Sequence, residues 1–423
     1  MRVLVVGSGA REHALVRRLL TDPEVADLIC APGNPGISGL ARTAPVDPAR
    51  PDDVVALARR ERIDLTVIGP ELPLSLGVAD KFLAEGRLLV GPTSAAARLE
   101  SSKAFAKAFM ARHDIPTARF LTCDTTDAAL ASVRRGELGF PLVVKADGLA
   151  AGKGVVIAAD AREAEAAILE AMTERRFGDA GARVVLEECL SGQEVSFFVL
   201  TDGRRAVPIG SAQDHKRIFD EDHGPNTGGM GAFAPSPLVD AALSSTVMGQ
   251  IVEPVIAGMA SEGHLYQGFL YVGLMLTTSG PQVIEFNVRL GDPETQVMLP
   301  LIDEPLAQLL AASASGTLRQ GSAAVSTDRA VGVVLASRGY PESSESGRPI
   351  TGIDAAERLP GVTVYHAGTR TEDGTVVTAG GRVLTVVGQG ADFGEAIARA
   401  YAGVGCITFD GMQHRRDIGR KAL

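Results

Sequence analysis

The chain has 423 residues, of which 45% are hydrophobic and 22% charged, and its formal net charge is −10 at pH 7. This length accommodates roughly two to four domains, the composition is that of an ordinary globular protein, and the acidic balance argues against nucleic acid as a partner while leaving small phosphates as possible ligands. No apolar run reaches the roughly 18–20 residues of a membrane span, and four scattered cysteines without a CxxC pair indicate reduced thiols in a cytoplasmic protein.

Short apolar runs alternate with helical stretches through the first hundred residues. Strands are predicted at 2–6, 28–31, 65–68 and 88–90, and helices at 12–20, 51–60 and 78–83. Strands that alternate with helices in this way form a parallel, doubly wound sheet. The fold class predicted for this part is therefore α/β.

The first strand is followed at once by the motif Gly-Ser-Gly-Ala-Arg-Glu-His at 7–13. Glycines at such a turn expose backbone amides at a helix N-terminus, which is a natural seat for an anion. The third glycine of a dinucleotide fingerprint would fall at Glu12, and no acidic residue ends the second strand to hold a ribose. The motif therefore gives little support to a nucleotide-binding dehydrogenase.

The rest of the chain again alternates strand and helix patterns. A helix is predicted around 100–113, and a small polar linker at 316–328. Strands are predicted at 142–145, 155–158, 184–187, 270–276, 282–286, 330–337, 362–367 and 381–387, with further helices near 305–314 and at 393–403.

A glycine-rich turn, Lys-Ala-Asp-Gly-Leu-Ala-Ala-Gly-Lys-Gly at 145–154, follows one predicted strand. It is not a P-loop, because Gly154 follows Lys153 where a serine or threonine would stand. Such a turn can fold over phosphates as a flap, with Gly152, Lys153 and Gly154 contacting the nucleotide. Lys145 ends an apolar strand, where a lysine is costly to bury without an anionic partner. A solvated hairpin with surface lysines is the alternative.

The strand predicted at 184–187 runs into two acids, Glu187 and Glu188, and Leu190 follows shortly after. A strand that ends this way can offer backbone groups to an adenine edge, and Glu194 could then accept hydrogen bonds from ribose hydroxyls. Taken alone, the stretch is better explained as an edge strand with solvated carboxylates.

A second glycine-rich stretch, Gly-Pro-Asn-Thr-Gly-Gly-Met-Gly at 224–231, follows shortly after the segment Asp-His-Lys-Arg at 214–217. So many glycines predict irregular backbone that can bring successive amides close to an anion. The residues expected to contact a substrate here are Asp214, Lys216, Asn226, Thr227, Gly228, Gly229 and Met230. A mobile surface loop is the alternative.

The most informative motif places Glu285, Asn287 and Arg289 at alternate positions of one strand. Alternate residues of a strand project from the same face. Glu285 and Asn287 supply hard oxygen ligands suited to Mg²⁺ that bridges phosphates, and Arg289 adds a cation for a developing phosphoryl charge. The alternative is the polar face of an edge strand.

These pieces stand in the order of an ATP-grasp ligase: leading dinucleotide-like domain, Lys–Gly-rich flap, Glu-Glu-x-Leu hinge strand and Glu-x-Asn-x-Arg metal strand. The segments 7–13, 31–34, 69–71, 145–154, 213–217, 224–231 and 285–295 resemble the phosphoribosylamine–glycine ligase family, also called glycinamide ribonucleotide synthetases. The resemblance implies an ATP-grasp fold with a leading α/β domain at 1–100, an ATP-grasp domain at 101–315 with a flap subdomain at about 121–190, and a C-terminal α/β domain at 326–423.

The resemblance also implies a carbon–nitrogen ligase of purine biosynthesis. ATP, glycine and 5-phosphoribosylamine would give glycinamide ribonucleotide, ADP and phosphate through glycyl phosphate, with Mg²⁺ or Mn²⁺ as the metal. A monomer or weak dimer in the cytoplasm is expected. Relatives keep an acid on the strand before the metal strand, whereas 271–275 here reads Tyr-Val-Gly-Leu-Met. The metal prediction therefore depends on Glu285 and Asn287 alone.

The resemblance further assigns roles to individual residues. Lys103 and Lys145 would hold the ATP phosphates, and closure of the flap would keep water from the acyl phosphate. Lys145, Arg289 and Asp292 are expected to act in catalysis. The phosphoribosylamine site is expected at Gly9, Glu12, His13, Glu71, Asp292 and Arg382, with Arg382 assigned to the 5-phosphate by analogy with related purine-pathway ligases.

Two other readings stay open at this point. Another ATP-grasp enzyme, such as a peptide ligase or a biotin-type carboxylase, would differ in the carboxylate and amine that drive ADP release. A non-catalytic nucleotide sensor would not need the intact face of Glu285, Asn287 and Arg289.

Overall fold

The computed structural model describes residues 1–150, 154–319 and 321–423. Two of the predicted flap contacts, Gly152 and Lys153, lie outside the described residues. Within the described part, no helix combines the length and the apolar character needed to cross a membrane.

The first ninety residues form a parallel sheet, as predicted, which has five strands in the order β3-β2-β1-β4-β5 where four were predicted. Its elements are β1 (Arg2–Gly7), α1 (Ala10–Leu20), β2 (Asp27–Pro32), α2 (Pro35–Ser38), β3 (Arg42–Thr43), α3 (Pro51–Arg60), β4 (Leu65–Ile68), α4 (Glu71–Ser75), α5 (Val78–Ala84) and β5 (Leu88–Val90). Val6 of β1 pairs with both Ala31 and Ile68, so the turns after three strands meet at one edge. This edge faces the rest of the molecule.

A four-stranded antiparallel sheet follows, with the order β6-β9-β7-β8. This part contains α6 (Ser94–Ser101), α7 (Lys103–Arg112), β6 (Phe120–Cys123), α8 (Thr126–Arg135), β7 (Leu142–Ala146), β8 (Val155–Ala158), α9 (Ala161–Met172) and β9 (Val184–Glu188). The helix predicted around 100–113 is in fact two helices. They separate at Ser102, whose hydroxyl accepts a hydrogen bond from the amide of Phe105 and so starts a new helix.

The largest sheet has eight strands in the order β16-β15-β10-β11-β14-β17-β21-β18. The elements up to the metal strand are β10 (Gln193–Thr201), β11 (Ala206–Asp214), β12 (Arg217–Phe219), β13 (His223–Asn226), β14 (Gly231–Ala234), α10 (Ala241–Val247), α11 (Glu253–Ser261), β15 (Gly268–Thr277) and β16 (Gly280–Asn287). The remaining elements are α12 (Glu294–Met298), α13 (Leu306–Ser315), β17 (Arg329–Ala336), α14 (Ile353–Glu357), β18 (Val362–His366), β19 (Thr369–Glu372), β20 (Thr375–Thr378), β21 (Arg382–Gly390) and α15 (Phe393–Cys406).

Strand β14 joins the C-terminal strands to the sheet that carries the metal strand. Phe233 of β14 pairs with Gln213 on one side and with Val331 on the other. The C-terminal strands therefore continue the sheet of the ATP-grasp part, and both sit on one rigid support.

Two predictions about irregular segments were wrong. The start of the glycine-rich stretch forms β13, because Asn226 pairs with Arg217 through backbone groups that need no large side chains. The segment predicted as a linker packs on the fold, since Leu318 and Ala323 are buried and Val325 pairs with Ile302.

One hydrophobic core is shared by the leading sheet, the helices that follow it and β16. It contains Leu4 of β1, Phe109 of α7, Ile256 of α11 and Phe286 of β16. The leading sheet and the metal strand are therefore held against each other by shared packing, which fixes the distance between the residues at their edges.

Candidate active site

The end of β16 presents Glu285 toward several lysines. Glu285 lies opposite Gly273 of β15, and a Cβ at Gly273 would stand 3.1 Å from the Cγ of Glu285, so the glycine makes room for this side chain. Burial alone would raise the pKa of Glu285, but the charges of Lys216, Lys145 and Lys103 hold it below its usual value. The carboxylate is therefore ionised in a positively charged surrounding.

A β-bulge on the same strand ties Lys145 to the metal strand. The register with β15 shifts so that Ile284 is the extra residue, and its carbonyl oxygen accepts a hydrogen bond of 3.1 Å from Lys145 Nζ. A bulge frees a backbone group from the ladder and changes the direction of a strand. Here it links the lysine at the end of β7 to the strand of Glu285.

Glu187 holds two buried lysines in place. Its carboxylate lies 2.9 Å from Lys145 Nζ and 2.7 Å from Lys107 Nζ, and each of the three residues is at most 5% exposed. Lys107 also donates to Thr117 Oγ1 at 2.7 Å. Burial lowers the pKa of Lys107 to about 8, an effect that Glu187 opposes and Lys145 reinforces. We call Lys103, Lys107 and Lys145, with Glu187, the lysine cluster.

Lys103 completes the lysine cluster at the start of the flap. Its Nζ donates to the carbonyl of Gly148 at 3.0 Å, and burial lowers its pKa. Asp147 accepts hydrogen bonds from the amide of Ala104 and from Ser102 Oγ, so the chain after β7 caps the N-terminus of α7. On the far side of the turn, the carbonyl of Gly154 accepts from the amide of Ala146.

Acidic groups lie on the neighbouring strands β10 and β11. Glu194 pairs with Lys216 at 2.7 Å. Burial raises the pKa of Asp214 to about 7, with Lys216 opposing and Glu294 adding to the shift. Glu294 is itself buried, with Oε1 3.2 Å from Ser196 Oγ, which lies 3.0 Å from Tyr271 Oη. Glu294 was not predicted, because nothing in its local sequence shows that α12 points this residue inward.

Arginines paired with carboxylates line the other side of the cleft. Arg289 lies 3.0 Å from Glu71 and 2.9 Å from Glu100, and its Nη2 donates to Asn287 Oδ1 at 3.2 Å. Burial alone would raise the pKa of Glu71, but Arg289 and Arg11 hold it below its usual value. Glu100 also accepts from the amide of Val288 at 2.7 Å, which fixes the strand beside Asn287.

Two further pairs extend this arrangement to both ends of the chain. Arg11 lies 2.8 Å from Glu12, and Arg382 lies 3.2 Å from Asp292, whose backbone carbonyl also accepts from it at 2.7 Å. We call Arg11, Arg289 and Arg382, with Glu12, Glu71, Glu100 and Asp292, the arginine cluster. It joins the leading sheet, the metal strand and the C-terminal strand β21 around one space.

Glycines at the edge of the leading sheet make room for Glu12. Its Oε2 accepts from the amide of Gly9 at 2.6 Å, and a Cβ at Gly69 would stand 1.9 Å from its Oε1. A Cβ at Gly9 would also lie 3.8 Å from Asp292 Oδ2. The turn after β1 therefore closes on its own carboxylate and faces Asp292.

Family models match three consecutive parts of this chain. They are the phosphoribosylglycinamide synthetase N domain at 1–100, its ATP-grasp (A) domain at 101–295 and its C domain at 330–421. A phosphoribosylamine–glycine ligase of Neisseria meningitidis serogroup A is 48% identical over 425 residues, with 100% of both chains covered. One of Xylella fastidiosa is 49% identical and covers 100% of this chain and 98% of its own. The chain belongs to the phosphoribosylglycinamide synthetase family.

Solved structures agree with this assignment to the phosphoribosylglycinamide synthetase family. The phosphoribosylamine–glycine ligase of Thermotoga maritima has a TM-score of 0.84 and 33% identity, and the match covers 99% of this chain and all of that one. A biotin carboxylase domain of Hydrogenobacter thermophilus, in complex with MgADP, has a TM-score of 0.74 at 17% identity, covering 98% of this chain and 91% of that one, and shows only a shared fold. The predicted family and ATP-grasp fold are confirmed, and the dehydrogenase alternative was wrong.

The biotin carboxylase domain of Hydrogenobacter thermophilus was solved with MgADP bound. In this chain, Glu285 and Asn287 offer one carboxylate and one amide oxygen, which are donors that Mg²⁺ takes. The described residues contain no group of three or more His, Cys, Asp or Glu that could hold a metal. The pair therefore fits an ion that completes its shell with water and phosphate oxygens.

Two residues predicted for this family's site, His13 and Glu188, lie outside both clusters, and a third, Glu187, is engaged within the lysine cluster. His13 is 2% exposed and faces β18, where its Nδ1 accepts from the amide of His366, and burial lowers its pKa to about 3. Glu188 projects to the opposite face from Glu187 and pairs with Arg119 at 2.7 Å. The carboxylate of Glu187 meets lysines rather than standing free for adenine, because it shares the strand face of Lys145.

The glycine-rich loop also differs from expectation. The amides of Thr227 and Met230 donate to the carbonyls of Lys216 and His215, at 2.7 and 2.8 Å. The amides of Gly228 and Gly229 donate to Tyr340 Oη and Thr227 Oγ1. These four amides already donate hydrogen bonds within the described protein. The prediction that successive free amides would bind an anion here therefore does not match the loop.

Proposed function

We propose that the protein ligates glycine to 5-phosphoribosylamine at the expense of ATP, giving glycinamide ribonucleotide, ADP and phosphate. A carboxylate oxygen of glycine attacks the γ-phosphorus and ADP leaves, which forms glycyl phosphate. The amine nitrogen then attacks the acyl carbon, the carbon–oxygen bond to phosphate breaks, and the nitrogen loses a proton. The observation that carries this proposal is Glu285, which faces Lys103, Lys145 and Lys216 in a chain that matches named ligases over its full length.

On the nucleotide side, Lys103 and Lys145 bind the phosphates of ATP, and the hinge after β9 with Glu194 binds the adenosine part. Glu285 and Asn287 hold Mg²⁺ or Mn²⁺. When bound, the metal would neutralise the negative charge that develops during phosphoryl transfer. The lysine cluster supports this assignment, because it buries more cations than carboxylates and such a site favours a polyanion.

On the acceptor side, Arg289 steadies the acyl phosphate. Its guanidinium is oriented by Glu71 and Glu100, so it is preorganised for the charge that forms in the transition state. Gly9, Asp292 and Arg382 surround the space in which phosphoribosylamine binds. This assignment is supported by the way the arginine cluster brings together the leading sheet, the metal strand and β21.

The test is a coupled assay of ADP release with ATP, metal, glycine and freshly prepared phosphoribosylamine. ADP release is expected only when all four are present, with formation of glycinamide ribonucleotide at one mole per mole of ADP. Equal ADP release without phosphoribosylamine, or with another amine in its place, would contradict the proposal and favour an ATP-grasp ligase of different specificity. Replacing Mg²⁺ by Mn²⁺ in the same assay determines the metal preference.

We further propose that the protein acts in the cytoplasm as a monomer or weak dimer. Sedimentation of the purified protein over a range of concentrations tests the second part, since a stable dimer would keep its mass on dilution.

A further inference from the structure

The C-terminal segment 415–421 packs against the hairpin of β12 and β13. Arg415, whose side chain is fully buried, donates through Nε and Nη2 to both carboxylate oxygens of Asp417, at 2.8 and 2.6 Å. Its Nη1 donates to the carbonyl of Arg217 at 3.0 Å and to Asp222 Oδ1 at 2.9 Å. The guanidinium of Arg415 therefore connects segment 415–421 to strand β12 and to the turn between β12 and β13.

Other contacts in the same place reinforce this connection. Asp417 Oδ2 accepts from the amide of Glu221 at 2.9 Å, and Lys421 Nζ lies 2.6 Å from Asp222 Oδ2. Glu221 and Asp222 both have φ of +57°, in the left-handed region that residues other than glycine rarely adopt. Such a conformation persists only where its surroundings determine it, and residues held this way cluster at functional sites.

The hairpin held by this segment leads directly into the cleft. Lys216 precedes β12, and its carbonyl accepts from both the amide and Oγ1 of Thr227, at 2.7 and 2.8 Å. The next residue, Gly228, accepts from Arg382 Nη1 through its carbonyl. Lys216, before the hairpin, and residues 227–230, after it, are therefore joined by hydrogen bonds, and Gly228 contacts Arg382 of the arginine cluster.

We propose that Arg415, with Asp222 and Asp417, positions residues 227–230, which follow the hairpin, for phosphoribosylamine. Arg415 lies outside the cleft and acts through the backbone of Arg217, so it is a positioning residue. The inference rests on the proposed function, because it names the substrate whose binding depends on the loop. The reason for this choice is that the loop contacts Arg382, which pairs with Asp292 beside the proposed acceptor space.

The experiment compares Arg415→Met, Arg415→Lys and Asp222→Asn with the wild type. Asp222 is partly exposed, so its replacement carries little risk to folding. Arg338→Met is the control, since Arg338 forms an exposed ion pair with Asp410 in the same C-terminal part without touching the hairpin. Steady-state kinetics are measured for ATP, glycine and phosphoribosylamine separately, together with Tm and the midpoint of unfolding.

Arg415→Met is expected to raise the KM for phosphoribosylamine on the order of tenfold or more, since small misplacements of binding groups cost such factors. The KM for ATP should stay within about twofold, Arg415→Lys should recover part of the loss, and Asp222→Asn should show a smaller effect of the same kind. Equal increases for ATP and phosphoribosylamine that follow the loss of Tm would overturn the inference, as would unchanged kinetics in all three variants. A wild-type enzyme that needs no phosphoribosylamine would instead overturn the proposed function.

Discussion

The lysine cluster and the arginine cluster both contact β16 but balance their charges differently. In the lysine cluster, two buried lysines share the single carboxylate of Glu187, and Lys103 has a backbone carbonyl as its partner. In the arginine cluster, each arginine has at least one carboxylate of its own. Buried charge without a partner is costly, so an excess of cations is typical of a place where an anion binds.

This difference in charge balance suggests a different role for each cluster. Under the proposed function, the lysine cluster supplies charge that the triphosphate neutralises, whereas the charges of the arginine cluster are already matched within the protein. Loss of a residue on the lysine side should therefore act on ATP, and loss on the arginine side should act on the acceptor. The predictions below test that separation.

The largest effect is expected at Glu285, where both sides depend on the metal. Glu285→Gln should lower kcat/KM on the order of a thousandfold, because a divalent ion contributes several kcal/mol of charge stabilisation and 1.36 kcal/mol is a factor of ten. The rate is measured while Mg²⁺ and Mn²⁺ are titrated, with a thermal melt to verify folding. Wild-type metal dependence in this variant would place the ion elsewhere.

Lys145→Met should lower kcat/KM for ATP by about a hundredfold, the usual cost of removing one donor that stabilises a transition state. The KM for phosphoribosylamine should change little, because Lys145 belongs to the lysine cluster. Lys81→Met, which removes an exposed lysine paired with Asp52, is the matched control. If Lys145→Met behaves like Lys81→Met, the lysine is structural and the comparison between the clusters loses its basis.

Arg382→Ala should raise the KM for phosphoribosylamine at least about tenfold and leave ATP unaffected, since a hydrogen bond to a charged group contributes roughly 1.5–3 kcal/mol. Arg370→Ala, in the neighbouring hairpin and paired with Glu372, is the control. Arg382 contacts Asp292 and Gly228 in this structure, so binding of the 5-phosphate by Arg382, as proposed, would require these contacts to rearrange. A KM equal to that of the control would show that the phosphate binds elsewhere.

Local patterns were enough to predict part of this site. The period of two in β16 places Glu285 and Asn287 on one face, and a lysine at the end of an apolar strand points to an anion. Glu100 and Lys107 were missed because they reach the site only through tertiary packing, from helices α6 and α7 whose sequences are ordinary. His13 was predicted to contact substrate but is buried, because the motif at 7–13 does not show which side of α1 faces β18.

The smallest effect is expected from Lys107, which acts on ATP through Glu187 and Lys145. Burial lowers the pKa of Lys107 to about 8. The lysine therefore loses its proton near pH 8 in the native protein, whereas in the unfolded chain it stays protonated up to about pH 10.4. Above pH 8 the lysine cluster has one charge less, and Glu187 then pairs with Lys145 alone. The KM for ATP should rise severalfold through this range.

This change can be told apart from unfolding by its sign. A lysine whose native pKa is lowered binds fewer protons in the native state than in the unfolded state between pH 8 and about 10.4, so its contribution to stability increases with pH there. ATP binding should therefore weaken at alkaline pH even though the titration of Lys107 does not lower the Tm. Lys107→Arg keeps a permanent charge and should abolish the pH dependence, whereas Lys107→Met should show the weak binding at every pH. An unchanged alkaline profile in Lys107→Arg would assign the titration to another group, such as Lys103, whose pKa burial also lowers.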